Sequence, residues 1–181
     1  HPEGIVPGGV AWPLTAEIRD RILAGVPEAI ASVERAIAWY KSDMMRWEEE
    51  AATFGNFRSA FMGLVDRAGN VDHYGGWLRV VDADGKFLAD RIDPKTFNDY
   101  IGEAVEPWSY LKSTYWKAMG YPDGIYRVGP LARLNVAERT GTPRADEELE
   151  KFRWRVGRVA GSSFHYHYAR LIDTLHAIEK I

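Results

Sequence analysis

Site chemistry requires ligating, titratable or nucleophilic side chains at workable spacings, and the sequence offers few. There are five histidines, His1, His73, His165, His167 and His176, and no cysteine. Two histidines on a helix share a metal only at i,i+3 or i,i+4, where both rings lie on one face. His165 and His167 are two apart and point to different faces. His167 and His176 are too far apart for a local pair, so these residues read as polar histidines flanking a helix seam. Lack of cysteine excludes disulfides, thiolate nucleophiles and cysteine-ligated zinc or iron–sulfur sites. The run Glu48-Glu49-Glu50 fans around a helix axis and reads as a solvated face. Glu103 and Glu106 are spaced to pair, but only a pocket that raises a pKa would make them catalytic, and a structural role is preferred. Ser162-Ser163 lacks a Gly-x-Ser-x-Gly elbow, and no phosphate loop of the Gly-x-x-x-x-Gly-Lys type occurs. The residues by themselves therefore assign no catalytic, cofactor-binding or metal-ligating position.

One aromatic concentration remains: Trp108, Tyr110, Tyr115, Trp116, Tyr121 and Tyr126. Such a stretch packs a loop onto its own core or onto a neighbouring domain, and the sequence leaves both readings open.

The elements that must position these groups follow from periodicity. The 181 residues, 46% hydrophobic, suffice for one globular domain. A net charge of -3 argues against nucleic acid as a partner, and no apolar run is long enough to span a membrane. His1 to Pro13, rich in proline and glycine, is expected to be a loop. Thr15 caps a short helix to Ala24, with a break at Gly25 and Pro27. Ile30, Val33, Ile37, Tyr40, Met44, Trp47 and Ala51 keep spacings of three and four, predicting one helix to Gly55. Phe61–Val65, Val71–Tyr74, Trp77–Val81 and Phe87–Ala89 read as short antiparallel strands, the last two joined at Asp84-Gly85. Asp93-Pro94 starts a short helix to about Gly102. Residues 106–129 are expected to be irregular, with helical turns around Ser109 to Met119. Ala145, Leu149, Phe152 and Val156, then Phe164, Tyr168, Leu171, Leu175 and Ile178, define two more helices, the second capped at Ser162 or Ser163. The expected fold is α+β and mainly helical: one domain over 1–181, an antiparallel helical bundle with a small antiparallel β-meander inserted at about 58–92.

Longer strings carry a resemblance: Val6-Pro-Gly-Gly-Val10, Thr53-Phe-Gly-Asn-Phe57 running on to Phe61-Met-Gly-Leu-Val65, Ile101-Gly-Glu-Ala-Val-Glu-Pro-Trp-Ser-Tyr-Leu-Lys112, Gly120 to Val136, and Tyr166-His-Tyr-Ala-Arg-Leu171. In order and over nearly the whole chain, they resemble the large (alpha) subunit of soluble, bidirectional, NAD(P)-linked [NiFe] hydrogenases. That family holds a Ni–Fe centre with cyanide and carbon monoxide ligands on the thiolates of two Cys-x-x-Cys motifs, soft donors suited to these metals. With neither motif present, the resemblance implies an internal segment without catalytic or metal residues.

It implies further that the parent enzyme reversibly oxidises dihydrogen in the cytoplasm. Its partners are the rest of the large subunit, an iron–sulfur small subunit, and a flavin-containing diaphorase module that reduces NAD or NADP. His1 falls at a His-Pro of the family pattern near the small subunit's proximal cluster, which implies a supporting role behind the metal ligands. Arg133 and Arg170 fall in matching strings and are expected to form ion pairs tying helices to the rest of the subunit. A first residue other than Met and a helical pattern running to Ile181 fit an excised segment. The isolated chain is expected to be inactive scaffold. The rival expectation, motivated by the aromatic stretch, is a free-standing protein-interaction domain derived from the hydrogenase scaffold.

Overall fold

The computed structural model describes residues 5–6, 9–10, 14–44 and 46–181. Ile5–Val6 (β1) and Gly9–Val10 (β2) pair antiparallel, so a short ladder lies where only loop was expected. Ala16–Trp39 (α1) is capped by Thr15, whose hydroxyl oxygen accepts from the Ile18 N–H at 3.3 Å. Pro27 sits inside α1 without ending it, which corrects the expected break. Proline removes one N–H bond and crowds the carbonyl four residues back. Here that carbonyl belongs to exposed Leu23, which can turn to water.

The seam beyond Pro27 packs as its spacing predicts. Ile37 and Tyr40 are buried, with Ile30, Val33 and Met44 against the same core. The single helix expected to reach Gly55 is interrupted, however. Tyr40–Met44 is wound as a π-helix, and a separate helix, Glu48–Thr53 (α2), follows. The wider turn keeps Tyr40 in the core, and Trp47 leaves the seam, 46% exposed.

The sheet contains Ala60–Val65 (β3), Val71–Asp72 (β4), Trp77–Val81 (β5) and Phe87–Ile92 (β6), in the order β4-β3-β5-β6. This is the small antiparallel sheet expected within a mainly helical α+β fold. In it β3 is central, with β4 and β5 on opposite edges. Asp93 caps a 3₁₀ turn, Pro94–Thr96, and Phe97–Tyr100 (α3) follows. The helix stops short of Gly102 because Ile101–Ala104 (β7) pairs with Ser113–Trp116 (β8). That hairpin, and Tyr126–Arg127 (β9) running parallel to β3, correct the expectation of an irregular 106–129 stretch with helical turns. Thr114, Tyr115 and Trp116 are strand formers, and pairing outweighed the flanking breakers.

Pro130–Val136 (α4) was not expected at all. Six of its seven residues are buried. Pro143–Val156 (α5) and Tyr166–Glu179 (α6) pack on each other, and α4 lies between β3 and α6, with Ser162 capping the 3₁₀ turn that leads into α6. The strands split the apolar residues by alternation. Phe61, Val65 and Val81 face the helices, while Ala60, Met62 and Val80 face a smaller cluster with Ile92 and Trp116. Gly63, on the helix face, is where α4 crosses β3, and a Cβ there would sit 2.8 Å from Val136 Cγ2. Trimming Leu131 to Ala is expected to cost about 2–5 kcal/mol of unfolding free energy. Gly63→Ala should cost about 1–3 kcal/mol through overpacking, and Arg170→Ala, on an exposed face, within about 0.5 kcal/mol. Urea denaturation ranks the three, and equal losses would contradict this packing.

Candidate functional site

The most connected polar site lies where α4, α6 and the turn after β4 meet. Arg133 on α4 grips Asp173 on α6 in a fork, Nε to Oδ1 at 3.0 Å and Nη2 to Oδ2 at 2.5 Å. His73 Nε2 lies 3.1 Å from the same Oδ1. The His73 ring stacks on His176, with centroids 5.6 Å apart and planes 25° apart. His176 is 1% exposed, and its Nδ1 is 3.2 Å from Thr142 Oγ1. The Glu179 oxygens, at the end of α6, accept the Arg144 and Ala145 N–H groups at 3.1 and 3.0 Å.

The other ring nitrogen of His176, Nε2, has no hydrogen-bond partner among the described residues. Burial holds the His176 pKa below its ordinary range, assisted by the neighbouring His73 and Lys180. A groove of about 630 Å3, lined by Asp66, Asp72, His73, Tyr74, His176 and Lys180, opens on this side. The arrangement can accept a hydrogen bond or a proton. Its rings stack instead of converging, and no group of three His, Cys, Asp or Glu among the described residues is placed to hold a metal.

Of the residues singled out from sequence, Arg133 is here. Its ion pair joins two helices of this chain. Arg170 is exposed on α6, with no ion pair among the described residues, and the pairing expected of it concerns the rest of the subunit. His1 lies outside the described residues. His167 is exposed and His165 lies edge-on to Phe152, as helix-flanking histidines should. His73 and His176 depart from that expectation, because the fold stacks them together. Asp173 and Thr142 were missed too; the i,i+3 spacing of Asp173 and His176 was the one available signal.

Glu48, Glu49 and Glu50 are exposed, and Glu48 pairs with Arg155. Glu103 and Glu106 do not pair: the first binds Lys112 at 2.7 Å and the second accepts from the Tyr121 hydroxyl at 2.7 Å. The aromatic stretch divides. Trp116 is core and stacks on Tyr100, whereas Trp108 and Tyr110 are 80% and 95% exposed.

The pH dependence follows from His176 and from His165, whose pKa burial also lowers, with Arg155 adding to the effect. The folded chain binds fewer protons than the unfolded chain near the ordinary value of 6.5. Stability is therefore full above that pH and falls as pH drops toward the folded-state pKa values. Urea midpoints should decline between about pH 7.5 and about pH 5, and His176→Asn should flatten the decline. An unchanged slope in the variant would contradict the assignment.

No protein-family model matches the chain. Similar proteins are nonetheless clear. The chain is 38% identical over 180 residues to one subunit of the F420-non-reducing hydrogenase vhu of Methanocaldococcus jannaschii, covering 99% of this chain and 43% of that protein. It is 36% identical over 189 residues to NAD-reducing hydrogenase HoxS subunit beta of Cupriavidus necator, covering 100% of this chain and 38% of that one. A crystal structure of an NAD+-reducing [NiFe]-hydrogenase in the H2-reduced state superposes with a TM-score of 0.90 at 40% identity, over 98% of this chain and 40% of its own. The fold is thus one found within a hydrogenase chain, and the 181 residues span about two fifths of the relatives they match. The expectation of a large (alpha) subunit fragment is corrected by these relatives: the Cupriavidus necator protein is a beta subunit, and neither of the two is named large or alpha.

Proposed function

We propose that these residues form a scaffold segment of a hydrogenase subunit, and that the whole protein reversibly oxidises dihydrogen. In this reading electrons leave through an iron–sulfur partner subunit to a flavin-containing module that reduces NAD or NADP, in a cytoplasmic complex. The observation that carries it is the agreement in sequence and fold, over nearly the entire chain, with an NAD+-reducing [NiFe]-hydrogenase. No helix among the described residues is long and apolar enough to cross a membrane.

The residues present do not fit a Ni–Fe centre. The chain has no thiolate, and the buried imidazole of His176, whose Nε2 is unpartnered among the described residues, stands in a stack without a converging ligand set. We assign that centre, with its cyanide and carbon monoxide ligands, to residues outside these 181. What this chain contributes is a rigid body, built on α4, that the rest of the subunit can lean on.

A second reading, a protein-interaction domain on the same scaffold, is favoured by the exposed Trp108 and Tyr110. Hydrogen uptake and nickel content distinguish the two. The purified 181-residue chain should show no uptake and substoichiometric nickel, whereas the full-length protein with its partner subunits should reduce NAD or NADP under hydrogen. Turnover by the chain alone, or none by the complete complex, would overturn the proposal.

A further inference from the structure

The apolar stripe on α1 does not end where the body of the protein ends. At 100° per residue, Ile18, Ile22 and Val26 lie on the same side of the helix as Ile30, Val33, Ile37 and Tyr40. Below Ile30 the stripe is buried against the core, chiefly against α6. Above it, Leu14, Ile18, Ile22 and Leu23 are 63%, 38%, 46% and 44% exposed. From Ala16 to Val26, at 1.5 Å per residue, about 15 Å of helix runs on with most of its apolar side exposed. An isolated helix of that length is marginal in water, because tertiary packing supplies most helical stability.

The neighbour that covers the lower half shows what is missing above. α6 runs antiparallel to α1. Tyr168, near its start, packs its ring 5.2 Å from Tyr40, near the end of the α1 seam. At its other end Glu179 accepts the Arg144 N–H, and the Arg144 guanidinium pairs with Glu34 of α1. Counting eleven residues from Tyr168 to Glu179 along antiparallel helices, α6 ends near the Ile30 turn of α1, and beyond it the groove on α1 is open. The relatives are more than twice as long as this chain, which spans 43% and 38% of them. A second helix of the same subunit is thus available to occupy that line.

We propose that residues 16–29 of α1 are the docking strip for an amphipathic helix from the remainder of the hydrogenase subunit, lying antiparallel to α1 on the line that α6 occupies lower down. This rests on the reading of the chain as part of a longer subunit. The incoming helix must present its own apolar seam to Ile18 and Ile22, and it completes a helix pair that this chain holds only in part.

Amide hydrogen exchange tests it. In the 181-residue chain, amides of residues 18–29 should exchange about a hundredfold faster than those of 33–39. In the full-length subunit, purified without partner subunits, both sets should be protected alike. Fast exchange of 18–29 in the full-length subunit would overturn the proposal. So would protection that appears only when partner subunits are added, or in the short chain as its mass doubles. The double variant Ile18→Asp, Ile22→Asp should leave melting of the short chain unchanged and lower that of the full-length subunit; equal effects would also count against it. Exchange is read whether or not the complex takes up hydrogen, so failure here is separable from failure of the functional reading.

Discussion

Three guanidinium groups bind the carbonyl end of α4, and the rest of the structure is arranged around that end. The last turn of a helix has carbonyls without intrahelical partners and carries the negative end of the dipole. For a helix buried on all sides, water cannot supply the donors. Arg153 reaches the Leu134, Ala137 and Glu138 carbonyls at 2.8, 2.7 and 2.6 Å. Arg158 reaches Asn135 and Ala137 at 2.8 and 3.0 Å, and Arg79 reaches Val136 at 3.1 Å. Hydrogen bonds to charged donors contribute about 1.5–3 kcal/mol each, and stranding a buried carbonyl costs about as much. Burial, with Arg158 close by, brings the Arg153 pKa down to about 10, which still leaves it charged at neutral pH.

These arginines come from different layers. Arg79 is on β5, and its guanidinium also forks onto Asp90 of β6. Arg153 is on α5 and Arg158 just beyond it, where Asn135 and Ala160 exchange a reciprocal pair of bonds at 3.0 Å. Sheet and helices are thus tied to one short helix by its own backbone. Arg133, on that same helix, extends the tie to α6 through Asp173, and from there to His73 and His176. The site and the core share one support. Arg127 repeats the device elsewhere, bonding the Gly161 and Phe57 carbonyls between the rings of Phe57 and Phe61. Such use of carbonyls lets the half-buried Arg127 and Arg153 guanidinium groups be satisfied where no carboxylate hydrogen-bonds them.

Legibility from sequence follows the same physics. The seam from Ile30 to Tyr40, the Ser162 cap and the Asp84-Gly85 turn, with Gly85 at a φ of 83°, are local signals and were readable. α4 was not. Its seven residues are too few to show a period, and a helix buried all round has no polar face to produce one; Pro130 directly after Gly129 was its only mark. The β7–β8 hairpin was obscured by the glycines and prolines beside it. Of the site, Asp173 and His176 could be paired by spacing. His73 lies 100 residues from Asp173 in the chain, a distance no local pattern bridges. The strings that carried the family resemblance found the hydrogenase relationship, and the relatives corrected which subunit it concerns.

Native-state hydrogen exchange at the Arg133 and Ala137 amides, each bonded within the α4 turn at 2.9 and 3.0 Å, tests the central role of that helix most directly. Both should exchange only through global unfolding, with the free energy and denaturant dependence found for Phe61 on β3 and Ile172 on α6. Exchange of α4 by a cheaper local opening, while β3 and α6 stay protected, would contradict the account.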